Sequence, residues 1–170
     1  PDLMTQIQNA WSMWNTAGSH ARLQGVVKSG EKSPVIAFND TNEVSLAPSS
    51  YEFMDHLTGN MTSMQRLASG AGVASIDGLV TTWGIRMPNG AFIPTQRDML
   101  LNADTIRASL PVRNVLDAYF QNVFLHEYGH YIGLGHSDGG VMFYGVLDDE
   151  VKVLNAQDKS GIAAAYSGCP

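Results

Sequence analysis

The chain has 170 residues, a length typical of a single domain that can bury its own hydrophobic core. Hydrophobic residues make up 44% of it and charged residues 15%, a balance that excludes an intrinsically disordered chain. The net charge of −6 gives no electrostatic reason to expect binding to nucleic acid or to an anionic membrane surface. No apolar run is long enough to span a bilayer, and the one cysteine, Cys169, excludes a disulfide within the chain.

The first half of the chain begins with a helical pattern. Apolar residues recur at three- and four-residue spacing across residues 2–17, which predicts an amphipathic helix. Trp11 and Trp14 belong to its apolar set, so both are expected to pack in the core. Beyond this helix, the sequence predicts strands at 22–28 and 35–39 and short helices at 51–57 and 61–68.

A hairpin signal lies in the middle of the chain. Residues 79–87 and 91–95 have extended patterns, and the turn sequence Pro88-Asn89-Gly90 separates them. A further short strand is predicted at 99–102.

Two helices are predicted in the remainder, at 112–133 and at 155–167, with Asn155 as the N-cap of the second. The order of elements is a helix, several strands, a long helix, a loop and a last helix. This order indicates an α+β fold in which the long helix packs on a mixed, twisted sheet.

The most specific signal lies at the end of the long helix, where residues 126–136 read H-E-x-x-H-x-x-G-x-x-H. His126 and His130 are four residues apart, so a helix places both on one face, where both can bind one zinc ion at about 2.0–2.1 Å. His136 can join them only if the helix ends and the chain turns back. Gly133 permits that turn, because a residue without a Cβ adopts positive φ at low steric cost.

Three imidazoles leave the fourth position of a tetrahedral zinc ion to water, which is the arrangement of a catalytic site and not of a structural one. Glu127 follows the first ligand but is offset from the pair, so we expect it to act as a general base and not as a ligand. The alternative, in which these are ordinary surface or core histidines, is disfavoured because three of the five histidines fall in this window.

Met142 lies six residues after His136. Together with the extended histidine motif, it resembles the signature of the metzincin zinc peptidases, in which a methionine turn (Met-turn) follows the third histidine. The resemblance implies that Met142 forms a hydrophobic floor beneath the metal and is not a ligand.

Within the metzincins the chain is most similar to the matrixins, the matrix-metalloproteinase-like branch. Ser137 follows the third histidine as in that branch, residues 154–162 with Tyr166 resemble its C-terminal helix, and residues 98–104 resemble the segment containing its substrate-pairing edge strand. The resemblance covers about residues 97–168.

The resemblance implies one metallopeptidase domain over residues 1–170. Its N-terminal subdomain (1–136) is expected to carry the sheet and the active-site helix, and its C-terminal subdomain (137–170) the Met-turn and the final helix. An extended peptide substrate is expected to pair with an edge strand at Leu100, Leu101 and Asn102.

Tyr144 has three interpretations. The Met-x-Tyr spacing from Met142 resembles the astacin and serralysin branches, where the tyrosine binds zinc and swings away to stabilise the oxyanion. Those branches follow the third histidine with glutamate or proline, whereas this chain has Ser137 there. The other two interpretations are a wall of the substrate pocket and a plain packing residue.

The chain departs from the matrixin pattern in two ways. Gln157 stands where matrixins have the first of two aspartates, which puts the anchor of the Met-turn in question. A loop for a second, structural zinc ion is not visible, because the remaining histidines, His20 and His56, are isolated and expected to be exposed or locally hydrogen-bonded. The resemblance implies calcium without assigning ligands, and residues 148–150 (Asp-Asp-Glu) are either a calcium loop or a solvated acidic loop.

The sequence therefore predicts a zinc-dependent endopeptidase with one catalytic zinc ion, acting on peptides or proteins as a monomer. The expectation that it is secreted rests on the resemblance alone. One alternative is an inactive zinc-binding interaction domain, which the intact Glu127 disfavours. Another is a zinc hydrolase of a non-peptide amide.

Overall fold

The computed structural model describes residues 3–17, 42–47, 53, 77–108, 116–144 and 152–167. In chain order its elements are α1 (Leu3–Asn15), β1 (Val44–Ala47), β2 (Gly78–Arg86), β3 (Phe92–Asn102), α2 (Ala103–Ala108), α3 (Leu116–Tyr131) and α4 (Ala156–Ala165). The chain packs as two compact units, residues 1–28 with 110–170 and residues 29–109. The single-domain organisation and its division at residue 136 stay predictions.

The unit of residues 29–109 contains a three-stranded sheet in the order β1-β3-β2. Strand β1 runs parallel to β3, and β2 runs antiparallel to it. The sheet is therefore mixed, and with the helices it confirms the predicted α+β class.

The predicted hairpin is confirmed and joins β2 to β3. Gly90 has a φ of +84°, and its amide donates to the Met87 carbonyl at 2.9 Å, which closes the turn. The prediction was wrong in dividing the second strand, because β3 runs unbroken from Phe92 to Asn102. Two polar residues in the middle of the strand, Gln96 and Asp98, are buried on the same face. Their burial is tolerated because Nε2 of Gln96 donates to both carboxylate oxygens of Asp98, at 3.1 and 3.2 Å.

Leu100, Leu101 and Asn102 do not lie on an edge strand, so this prediction was wrong. They form the end of β3, where they pair with β1 on one side, while the register with β2 on the other takes in Leu100 and Leu101. Their side chains are buried, and the Asn102 carboxamide oxygen accepts the amides of Asp104 and Thr105 at the start of α2. Helix α2 was not predicted, because Asn102 was taken only as the last residue of a strand and not also as the residue that caps a following helix.

The other unit contains α1, α3 and α4. Helix α1 confirms the amphipathic prediction and packs against α3. Trp14 is buried as expected, and its indole Nε1–H donates to the Leu125 carbonyl of α3 at 2.8 Å. Trp11 is partly buried, with its ring 6.0 Å from that of Tyr128.

The two late helices are confirmed, with α3 at Leu116–Tyr131 and α4 at Ala156–Ala165. Asn155 caps α4 as predicted: its side chain accepts the Asp158 amide while the Asp158 carboxylate accepts the Asn155 amide, a reciprocal capping box. None of the described helices is both long and apolar enough to cross a bilayer. The predicted strands at 22–28 and 35–39 and the helix at 61–68 lie outside the described residues, as does all of the predicted helix at 51–57 except residue 53.

Candidate metal centre

Three imidazoles converge at the C-terminal end of α3. Helix α3 places His126 and His130 one turn apart, with their Nε2 atoms 3.1 Å from each other. The Nε2 atom of His136 lies 3.2 Å from that of His130. In the part of the chain that the structure describes, this is the only group of histidine, cysteine or acidic residues arranged to hold a metal ion.

The tautomers of the two helical histidines suit a metal ligand. The Nδ1–H of His126 donates to the Val141 carbonyl at 2.7 Å, and the Nδ1–H of His130 donates to the Leu134 carbonyl at 2.8 Å. A carbonyl oxygen can only accept, so each ring keeps an unprotonated Nε2. Backbone carbonyls that fix a histidine in this way are typical outer partners of zinc ligands.

The spacing of the Nε2 atoms also fits zinc. Nitrogen atoms at about 2.0–2.1 Å from a tetrahedral ion are about 3.3–3.4 Å apart. The distances here are 3.1 and 3.2 Å. The unprotonated Nε2 atoms of His126 and His130 lie 3.1 Å apart and their lone pairs repel each other, so a cation between them would stabilise the arrangement.

Gly133 ends the helix as predicted. It has a φ of +99°, its amide donates to the His130 carbonyl at 2.9 Å, and the Leu134 amide donates to the Gly129 carbonyl at 2.9 Å. This pair of bonds defines a Schellman cap. The cap redirects the chain so that Leu134 offers its carbonyl to His130 and His136 returns toward the helix.

The segment from Ser137 to Tyr144 forms a tight turn next to the metal centre. The Ser137 amide donates to the Met142 carbonyl at 2.9 Å, and Ser137 and Phe143 form a parallel bridge. Met142 is buried and its sulfur contacts α3 at Gly129, where a Cβ would overlap it. The sulfur thus packs against the backbone between the two helical ligands.

Asp158 of α4 anchors this turn. Its carboxylate, 2% exposed, accepts the amides of Val141 at 3.1 Å, Met142 at 3.3 Å and Asn155 at 2.9 Å. Gln157, at which the anchor was in question, is exposed. The peptide group between Val141 and Met142 donates its amide to Asp158 and accepts from His126 at its carbonyl, so α4 supports the His126 ring through one peptide group.

Glu127 and Tyr144 are the two candidates for catalysis beside the imidazoles. Glu127 adjoins His126 on α3 and its side chain is buried. Tyr144 is 73% exposed, with its ring 6.3 Å from that of His136 and 4.8 Å from that of Phe143. Such exposure disfavours plain packing, one of its three interpretations.

Burial keeps the helical imidazoles neutral. It lowers the pKa of His126 from 6.5 to about 4, an effect opposed by the hydrogen bond to Val141 and increased by repulsion from His130 and His136. Burial also lowers the pKa of His130, although its bond to Leu134 opposes the shift. Metal binding requires deprotonated ligands, and the lowered pKa of each ring favours that state.

Three supporting features were not predicted from the sequence. Two of them have a signal in the sequence. Gly129, whose missing side chain leaves space for the Met142 sulfur, is a glycine inside a predicted helix, and Asp158, which anchors the turn, is an acidic residue three positions after an N-cap. The carbonyls of Val141 and Leu134 carry none, because every residue has one. His20, His56, residues 148–150 and Cys169 lie outside the described residues.

The sequence profile of the matrixin family matches residues 2–167. The chain belongs to the matrixin family. Matrixins are zinc metallopeptidases, and the group of His126, His130 and His136 resembles their zinc site. The resemblance that the sequence predicted is confirmed.

One curated relative of this matrixin is described as Metalloendoproteinase 5-MMP of Arabidopsis thaliana. The two are 37% identical over 75 residues, which cover 42% of this chain and 20% of the relative. The match therefore spans about a fifth of the relative's length. No solved structure gives a significant match.

Proposed function

We propose that this matrixin is a zinc-dependent endopeptidase. The observation that carries the proposal is the convergence of three Nε2 atoms beside a buried glutamate, with two of the rings held by backbone carbonyls. A purely structural zinc site gains nothing evident from a carboxylate in that position. The proposal includes the cleavage of peptides or proteins by a secreted monomer.

His126, His130 and His136 would hold the zinc ion. When bound, zinc supplies a Lewis acid that polarises the scissile carbonyl and makes water more acidic. Glu127 accepts the proton of the attacking water on its carboxylate and delivers it to the departing amine. The carbonyls of Val141 and Leu134 keep Nε2 of the helical rings free for the metal throughout.

Tyr144 takes one of two roles in this scheme. Its exposed phenol either donates to the oxyanion that forms at the scissile carbonyl or lines the wall of the substrate pocket. Tyr144→Phe separates them: loss of an oxyanion donor lowers kcat by about 10²–10³ with KM unchanged, whereas a wall residue alters KM and leaves kcat within a few fold. Steady-state kinetics on one peptide substrate measure both constants.

The substrate-pairing strand is assigned anew, because the strand that holds Leu100 is paired on both sides. An extended peptide adds to a free strand edge. Among the described strands, β1 and β2 each have a neighbour on one side only, so an outer edge of this sheet is a better choice than β3. Calcium binding remains part of the proposal because of the family resemblance, and no residue is assigned as a calcium ligand.

The decisive experiment measures bound metal and the cleavage of a peptide library by the same preparation. We expect about one zinc ion per chain, cleavage that a chelator abolishes, and restoration of cleavage by added zinc. Glu127→Ala is the matched control, which should keep its zinc and lose turnover by about 10²–10⁴.

Each alternative has its own result in this experiment. Zinc bound without cleavage of any peptide supports an inactive interaction domain. Zinc-dependent hydrolysis of simple amides with no peptide cleavage supports the non-peptide hydrolase. A protein that binds no zinc overturns the proposal, and a fully active Glu127→Ala protein overturns the role of Glu127.

A further inference from the structure

One side-chain hydrogen bond connects the end of α4 to the cap of α3. The hydroxyl of Tyr166 donates to the carbonyl of Ile132 at 2.9 Å. Ile132 is buried and is the residue immediately before Gly133, where the chain leaves the helix. The bond joins residues 34 positions apart in the sequence, so it forms only when the two helices are packed together.

The Ile132 carbonyl is one of the groups that a helix end leaves without a helical partner. The preceding carbonyls of Gly129 and His130 are taken by the amides of the Schellman cap. Tyr166 therefore completes the hydrogen bonding of this cap from a different helix. Without its hydroxyl, the peptide group that follows Ile132 has one restraint fewer.

The same cap approaches α4 at a second place. A Cβ built on Gly161 would lie 3.4 Å from Cδ2 of Leu134, so the Leu134 side chain faces α4 at Gly161. Leu134 is also the residue whose carbonyl accepts the Nδ1–H of His130. The end of α4 thus bonds to the residue before Gly133, and α4 lies next to the residue after it.

We propose that Tyr166 is a positioning residue of the metal centre. Its hydroxyl fixes the peptide after Ile132, which sets the direction in which the chain leaves the cap. That direction places the Leu134 carbonyl on His130 and carries His136 back to the other two imidazoles. The inference rests on the zinc-binding part of the proposed function and not on peptidase activity.

Tyr166→Phe tests the proposal, since it keeps the ring and removes the donor. Zinc affinity is measured by competition with a chromophoric chelator, and the ligand geometry by the visible absorption of the cobalt(II)-loaded protein. We expect zinc affinity to fall about tenfold, the lower end for residues that orient metal ligands, and the cobalt absorption to change in shape. A residue with a merely structural role leaves the cobalt spectrum unchanged.

Ser167→Ala is the matched control. The Ser167 hydroxyl also donates to a backbone carbonyl at the end of α4, that of Ala164 at 3.0 Å, but this acceptor belongs to α4 itself. We expect its zinc affinity and cobalt spectrum to match those of the unaltered protein. Equal effects of the two substitutions, or no effect of either, would overturn the role of Tyr166.

Amide hydrogen exchange of the zinc-free proteins gives an independent measurement. In Tyr166→Phe we expect the Gly133 and Leu134 amides, which form the cap, to exchange at least several-fold faster, while exchange in α1 stays the same. Unchanged exchange at these two amides overturns the inference even if zinc affinity falls. If the unaltered protein binds no zinc, the proposed function fails, and the exchange result still decides whether Tyr166 holds the cap.

Discussion

His126 and His130 occupy consecutive turns of one helix, are partly buried, and each donates from Nδ1 to a backbone carbonyl. His136 lies beyond the helix, is exposed, and has no such carbonyl partner among the described residues. Helix geometry alone brings the first two together, since residues four apart share a face. The third is brought back by the cap at Gly133. Two of the candidate metal ligands are thus set by local structure, and the third by the course of the chain beyond the helix.

The largest effect on this comparison is expected from Asp158→Asn. Asparagine keeps a neutral acceptor, and a hydrogen bond to a charged group contributes about 1–1.5 kcal/mol more than one to a neutral group. Over the three amides that Asp158 accepts, we therefore expect the free energy of unfolding to fall by about 3–4 kcal/mol. The Val141 carbonyl then loses its fixed position and zinc affinity falls about 10–100-fold. Urea unfolding and chelator competition measure the two quantities.

The exposed neighbour provides the control, since Gln157→Ala changes no described contact of the turn. We expect its stability to stay within about 0.5 kcal/mol of the unaltered protein. If Asp158→Asn binds zinc as tightly as this control, zinc binding by His126 does not depend on a fixed Val141 carbonyl. The proposed difference between the helical histidines and His136 would then be smaller.

The second largest effect is a dependence of stability on pH, which tests the burial of His126. The pKa of His126 is about 4 in the folded protein and 6.5 in a solvated chain, so between these values the unfolded chain binds more protons. The stability of the zinc-free protein is therefore complete above pH 6.5 and falls as the pH drops toward 4, by about 2–3 kcal/mol from this group. Urea unfolding at several pH values in a chelator measures the change.

His126→Gln isolates the contribution of that one ring, because the carboxylates of the protein titrate equally in both proteins. We expect the variant to lose less stability between pH 6.5 and 4. Identical pH profiles for the two proteins would show that burial of His126 has no thermodynamic consequence.

The smallest effect compares a glycine beneath the helical ligands with one beside the loop ligand. A Cβ at Gly129 meets the Met142 sulfur and lies 3.1 Å from Cζ2 of Trp14, whereas one at Gly135 has no atom within 4 Å. We expect Gly129→Ala to lower the free energy of unfolding by about 1–2 kcal/mol, because the flexible methionine can shift part of the way.

Gly135→Ala should leave stability within about 0.5 kcal/mol. Thermal or urea unfolding of both variants, with and without zinc, checks the difference. Equal losses at the two positions would mean that the backbone beneath the helical ligands is no more closely packed than the loop.

Much of the centre follows from residue identity and spacing alone. The four-residue interval between His126 and His130, the glycine that ends their helix and the capping residue Asn155 act through the local backbone, so a sequence pattern is sufficient to predict them. The mixed α+β class follows similarly from the order of periodic segments. These features require no knowledge of which distant residues meet.

Tertiary structure decided the rest, because the deciding contacts join residues far apart in the chain. The pairing of β3 on both sides moved Leu100–Asn102 from the expected edge to the centre of the sheet, since a strand's neighbours are not encoded within the strand itself. Asp158 meets Val141 and Tyr166 meets Ile132 only after α4 has packed. The sequence by itself determined which side chains could bind the metal, and packing determined the carbonyls that aim them, because backbone groups are identical in every residue and differ only in where the fold puts them.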